Sequence, residues 1–139
     1  MKSRSGAWDE CVLLAVIALG GACGAVCRFR LAVSRPGLAV GFPLSTMMVN
    51  VLGAAAMGVL LGILAARQSH RLWRPFIGAG FLGGFTTVSA FALEAQQLLA
   101  GGYVSVALSY LVLTPIATVA AFAFGSGLVR LVLRNGDSA

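Results

Sequence analysis

The sequence predicts an all-α membrane protein of four transmembrane helices, the third of them broken near its middle. Three observations predict it. Of 139 residues, 59% are apolar, and the mean hydropathy is +0.94. The charged residues, 10 Lys and Arg with 4 Asp and Glu, are bunched, so that residues 11–27, 36–66, 75–93 and 95–129 contain none. A membrane span needs roughly 20 mostly apolar residues, and a soluble core of this size would not leave such windows uncharged. Finally, Gly78 to Glu94 reads G-A-G-F-L-G-G-F-T-T-V-S-A-F-A-L-E, with glycines and hydroxyls where lipid-facing helix is Leu, Ile, Val and Phe. Residues 1–139 are read as one membrane domain, with spans at about 11–33, 43–66, 75–100 and 103–133.

The net charge is +6, but the positive residues sit at segment ends. They read as topology signals and contacts to membrane lipid headgroups rather than as a nucleic-acid surface. No basic patch is interleaved with aromatic residues. The first apolar segment is Gly-rich and runs into Arg28 and Arg30 without a clear cleavage site, so it is not read as a cleavable signal.

Residues 1–10 are polar and read as a mobile or interfacial tail. In the first span, Gly20, Gly24 and Arg28 share one helical face, and the two glycines make a small-xxx-small packing surface. Arg28 either belongs to that face or marks the end of the span, its long stem reaching the headgroups. Cys11, Cys23 and Cys27 all fall in this segment with no His nearby, and are expected to be small buried hydrophobes. The link from Ser34 to Phe42 reads as a turn or re-entrant loop.

The second span begins near Pro43, a residue suited to a first helical turn. Thr46, Asn50, Ala54, Gly58 and Gly62 follow at intervals of four, a stripe in which every member is small or polar. Asn50 stands out, because a carboxamide in hydrocarbon must find partners. A structural bond between helices and a place in a functional pore both satisfy it. The basic loop from Arg67 to Arg74 carries Trp73 as an interfacial anchor and His70, read as a solvated loop residue.

In the third span, Gly83-Gly84 followed by Thr86-Thr87 offers a weak point in the helix and hydroxyls to re-satisfy freed backbone groups. Non-helical backbone at membrane depth is tolerated only where protein or a wet cavity surrounds it. Gly83 to Thr87 therefore reads either as a functional break or as a close-packed glycine interface. Glu94 is the one acidic residue in any apolar segment. Gly101-Gly102 turns the chain into the fourth span, where Tyr110, Thr114 and Thr118 form a hydroxyl stripe at intervals of four. That stripe fits a hydrated track or hydroxyls bonded back to their own helix. Pro115 is expected to kink this helix or to sit where threonine hydroxyls compensate.

No catalytic constellation, phosphate-binding loop or metal-ligand cluster is present, so an enzyme is not expected. The polar residues inside the spans are almost all neutral: Asn50, Thr46, Thr86, Thr87, Ser89, Tyr110, Thr114 and Thr118. Neutral donors suit a selective pore, in which an ion must shed water and still leave. Four short helices enclose a polar path poorly, so oligomerisation is expected.

At these residues the chain closely resembles the Fluc/CrcB family of fluoride channels. G-G-A-C-G-A-V-C-R at 20–28, P-L-S-T-M-M-V-N-V-L-G at 43–53 and G-F-L-G-G-F-T-T-V-S-A-F-A-L-E at 80–94 carry the resemblance, in order and at matching spacing. It implies a fluoride-selective channel that exports the ion passively across the cell membrane, built as a dual-topology dimer of inverted subunits. It implies a structural sodium ion on the dimer axis, held by the backbone carbonyls of Gly83 and Thr86. Asn50 would donate an amide N–H to fluoride, and Phe91 would present its ring edge, the positive part of the aromatic quadrupole. Thr46 and Arg28 would sit near the vestibule or the Asn50 network, and Tyr110, Thr114 and Thr118 match the family's hydroxyl track. Ser89 would belong to the same pathway.

Ser45 stands where the family has a glycine, Val88 where it has the first Phe of its phenylalanine box, and Ala90 where it has a Thr. A homodimer with one such ring from each subunit per pore lacks half of each box. The charges point the same way. Lys2, Arg4, Arg67, Arg71, Arg74, Arg130 and Arg134 fall on one side of a four-span chain, against Arg28, Arg30 and Arg35 on the other. This bias favours one insertion and pairing with an inverted paralogue over a homodimer. The alternatives are a proton-coupled exporter centred on Glu94 and a non-conducting partner subunit.

Overall fold

The computed structural model describes residues 4–34, 41–66 and 71–136. They are helical almost throughout: α1 (Arg4–Ser34), α2 (Leu44–Ala66), a π-helical segment (Arg74–Leu82), α3 (Gly83–Phe85), α4 (Val88–Ala100) and α5 (Val104–Gly136). Four stretches, Trp8–Val33, Leu44–Ala65, Arg74–Ala100 and Val104–Arg134, are long and apolar enough to cross a membrane. The chain is a multi-pass membrane protein.

One expectation is narrowed and one needs correction. The polar tail continues α1 from Arg4, and Asp9 is tied to Arg71 by an ion pair of 3.0 Å, which gives this polar turn a partner beyond the first span. Cys11, Cys23 and Cys27 are exposed rather than buried, because the buried face of α1 is its glycine face. The Ser34–Phe42 link, Arg67 and His70 fall largely or wholly outside the described residues.

The four spans pair alternately. A side chain on Gly20 would meet the Phe76 carbonyl, one on Gly24 the Phe81 carbonyl, and one on Gly84 the Gly21 carbonyl. Residue numbers rise together along this seam, so α1 runs parallel to the third span with backbones in contact. The second seam repeats the device: Gly58 lies against Phe122, Gly125 against Ala55 and Gly62 against Val129, making α2 and α5 parallel. In lipid no hydrophobic force draws helices together, so close backbone approach across small residues supplies the attraction. Such close approach is what Gly20 and Gly24 led us to expect, and α2 uses its small-residue stripe the same way.

Within the third span, the Gly83 N–H points to the Gly78 carbonyl five residues back, the spacing of the wider π winding. Two extended residues then stand between α3 and α4: Thr86 at φ −77°, ψ 157° and Thr87 at φ −150°, ψ 119°. The Thr87 side chain restarts the helix by accepting the Ala90 N–H. At the far end, Gly102 takes φ 80°, while the Tyr103 N–H bonds the Leu98 carbonyl and the Gly102 N–H that of Leu99. That left-handed residue closes α4 and reverses the chain, as Gly101-Gly102 requires.

Candidate functional site

The site begins with the two extended threonines. Thr87 is buried, and its peptide has left the helical ladder, so its N–H and C=O need partners elsewhere. Asn50 on α2 supplies both. Its Nδ2 donates to the Thr87 carbonyl at 3.0 Å, and the Thr87 N–H donates to Asn50 Oδ1 at 2.8 Å. Thr86 turns back instead: its hydroxyl donates to the Leu82 carbonyl at 2.9 Å. The Thr87 and Ser89 hydroxyls lie 3.2 Å apart, and Ser89 is exposed.

One helical turn before Asn50, the Thr46 hydroxyl donates to Glu94 Oε1 at 2.7 Å. Tyr110 donates to Glu94 Oε2, also at 2.7 Å, and is wholly buried. The carboxylate is thus held between neutral hydroxyls from α2 and α5. Phe91, one turn before Glu94, lays its ring 4.9 Å from that of Tyr110 at 53°, and Phe42 meets the same ring edge-on at 5.3 Å.

Asn50, Gly83, Thr86, Val88, Phe91, Thr114 and Thr118 line one groove of about 610 Å³ between α2, the extended pair, α4 and α5. Its lining contains no charged residue. Thr114 is 3% exposed, and its hydroxyl has no hydrogen-bond partner among the described residues. Thr118 bonds back to the Thr114 carbonyl at 2.7 Å, so its hydroxyl is held by its own helix. Neither reaches the Leu111 carbonyl, which Pro115 deprives of its usual donor; α5 nonetheless continues through it.

The structure therefore gathers Asn50, Phe91, Thr114, Thr118, Gly83 and Thr86 around one groove, with Thr46 and Tyr110 on the adjoining Glu94 cluster. Arg28 is not brought to them: it is half-buried near the end of α1 and makes no hydrogen bond with another described residue. The residues that sequence reasoning passed over are Thr87, as Asn50's partner, and Glu94, as the common acceptor. Spacing gives no signal for either pairing: Thr46 and Asn50 are four residues apart on α2, whereas Thr87 and Glu94 are seven apart in the third span.

Comparison with known proteins bears on this arrangement. Residues 15–126 match the family model described as CrcB-like protein, Camphor Resistance (CrcB). The chain is 41% identical over 133 residues to the fluoride-specific ion channel FluC 1 of Streptomyces coelicolor, covering 95% of this chain and 86% of that one. It is 44% identical over 123 residues to FluC 2 of Nocardia farcinica, with coverage of 88% and 87%, and 43% identical over 116 residues to FluC of Paracoccus denitrificans, with 81% and 93%. With the matched segment extending from the α1 glycine seam through the Asn50–Thr87 pair to α5, this chain belongs to the CrcB-like family.

Proposed function

We propose that the chain is a subunit of a fluoride-selective channel that lets the anion leave the cytoplasm passively. The observation that carries this is the groove in which Asn50, Thr114, Thr118 and the ring of Phe91 meet without a charged neighbour, in a chain 41–44% identical to relatives named fluoride-specific ion channels. A small anion leaving water needs N–H and O–H donors. A fixed positive charge there would hold it too tightly to release, whereas neutral donors let it move on. One Asn50 amide hydrogen goes to Thr87; the second serves the anion, and the Thr114 hydroxyl, which has no partner among the described residues, is the next donor along α5.

The extended pair acts as a break in the third membrane helix. It turns backbone out of the ladder at the depth where two inverted subunits would cross. The Gly83 carbonyl, whose ordinary donor would be the Thr87 N–H, loses it to Asn50 Oδ1. Gly83 is also exposed, so its oxygen fits a hard cation's ligand set. Gly83 and Thr86, with the same pair from the inverted subunit, would hold a sodium ion through backbone oxygens. The ion would supply positive charge and a fixed point between subunits, with no part in transport steps.

A pairing with an inverted paralogue is favoured over a homodimer by Val88, which is 79% exposed on the groove and offers no ring edge. The test is fluoride efflux from liposomes, followed with an electrode in the presence of a potassium ionophore. Passive, voltage-driven flux that excludes chloride is expected. Flux that strictly needs a proton gradient would replace the channel by a carrier, and trapped fluoride even with a sister subunit would reject both.

A further inference from the structure

Gly53 lies three residues beyond Asn50 on α2, and so on the same face of that helix. It is buried, and it differs from the seam glycines in what it meets. Gly20, Gly24 and Gly58 press on the backbone of a neighbouring span, whereas Gly53 faces the side chain of Thr86. A carbon added to Gly53 would overlap Thr86 Cγ2 and would stand 3.3 Å from Cδ1 of the buried Phe85 ring. Thr86 is not at liberty to swing that methyl away. Its N–H and its hydroxyl both donate to the Leu82 carbonyl, at 3.0 Å and 2.9 Å. With Oγ1 held in one staggered position, the configuration of threonine leaves Cγ2 a single place, and that place is the space over Gly53.

We infer that Gly53 is a positioning residue for the Thr86 carbonyl: its missing side chain makes a socket for the Thr86 methyl, which sets how the Thr86 peptide is turned relative to α2. One face of α2 then holds two consecutive residues of the third span, Asn50 gripping Thr87 by hydrogen bonds and Gly53 receiving Thr86 by shape. The Thr86 carbonyl has use for such control. In a continuous helix the Ala90 N–H would donate to it, but that N–H goes to the Thr87 hydroxyl at 3.2 Å. The oxygen has lost its helical donor, as a cation ligand requires. Gly53 acquires this role only if Gly83 and Thr86 are ligands of a sodium ion, as proposed above, and it would act through Thr86 rather than on the ion. With a carbon in the socket, Thr86 must rotate and give up its hydroxyl bond to Leu82, or the extended pair must draw away from α2 and loosen the Asn50–Thr87 exchange. Either movement turns the carbonyl.

Thermal unfolding of the assembled channel, followed while sodium replaces potassium, tests this. Sodium should raise the unfolding temperature of the parent, because an ion bound only by the folded state stabilises it. Gly53→Ala should need about 10–100-fold more sodium for the same rise, the usual consequence of disturbing a group that orients a metal ligand. Gly53→Ala with Thr86→Ser, which removes the methyl and keeps the hydroxyl, should recover most of the parent's sodium response. Gly58→Ala presses on the Phe122 carbonyl in the α2–α5 seam, so it should lower the unfolding temperature and keep the parent's sodium response. A glycine that serves packing alone would behave as Gly58 does. If Gly53→Ala by itself does not fold, the double variant decides: recovery of folding and of the sodium response upholds the socket, and failure of either overturns it. A sodium response in Gly53→Ala equal to the parent's would overturn the role of Gly53 and leave the cation site standing. A parent indifferent to sodium would overturn the cation site, and the role of Gly53 with it.

Discussion

Asn50 and Thr87, 37 positions apart, exchange two hydrogen bonds, side-chain amide against backbone peptide. The amide takes the place of the helical neighbours that Thr87 has given up. The extended conformation in the third span thus depends on one side chain of the second, and the groove beside it depends on both.

Replacing Asn50 separates these roles. Asn50→Ala leaves the buried Thr87 N–H and C=O without partners, and each loss costs about 1–3 kcal/mol. Asn50→Asp keeps an acceptor for the Thr87 N–H but sets a carboxylate oxygen against the Thr87 carbonyl in a buried position, so it too should melt below the parent chain in a thermal unfolding series. Both should be inactive in liposome fluoride efflux, Asp through its added negative charge. Undiminished flux in Asn50→Asp would remove Asn50 from the pathway.

Glu94 tests the carrier. Its two oxygens accept from the Thr46 and Tyr110 hydroxyls, and a group that acts only as an acceptor would be replaceable by another acceptor. Glu94→Gln keeps one acceptor and should retain flux with no proton gradient applied. Glu94→Ala strands two buried hydroxyls, at about 1–3 kcal/mol each, and should lower the unfolding temperature more. Loss of all gradient-independent flux in Glu94→Gln would favour proton coupling.

The glycine seams are tested by a matched pair. An alanine at Gly24 would push against the Phe81 carbonyl, which is backbone and cannot move aside. Gly24→Ala should therefore destabilise by about 1–3 kcal/mol. A side-chain carbon at Gly127 meets nothing within 4 Å. Gly127→Ala should be neutral or stabilise α5 by about 0.5–1 kcal/mol. Equal effects in thermal unfolding would mean that the seam is not in close contact.

Val88→Phe asks whether the groove is short of a ring. Reconstituted without a second subunit, this variant should conduct fluoride faster than the parent chain. Equal rates would show that the exposed valine does not limit a homodimer. Reporters fused to the carboxyl terminus of the chain expressed alone should fall mainly on the cytoplasmic side, given the bias of its arginines. Equal populations on both sides would instead support dual insertion.

Much of the architecture was legible in the sequence, because insertion into lipid depends on a local property. A window without charge and long enough to cross hydrocarbon partitions there whatever surrounds it, and the four windows correspond to the four span-length stretches. Asn50 was legible as an outlier for the same reason: a carboxamide in that environment must be answered somewhere. Which group answers it was not. Spans that are apolar on nearly every side give weak signals of how they are rotated, so the sequence did not show that Asn50 meets Thr87 or that Thr46 and Tyr110 close on Glu94. Those contacts, and the outward turn of the cysteines, were decided only when backbone contact across the glycines set the rotation of each helix about its own axis.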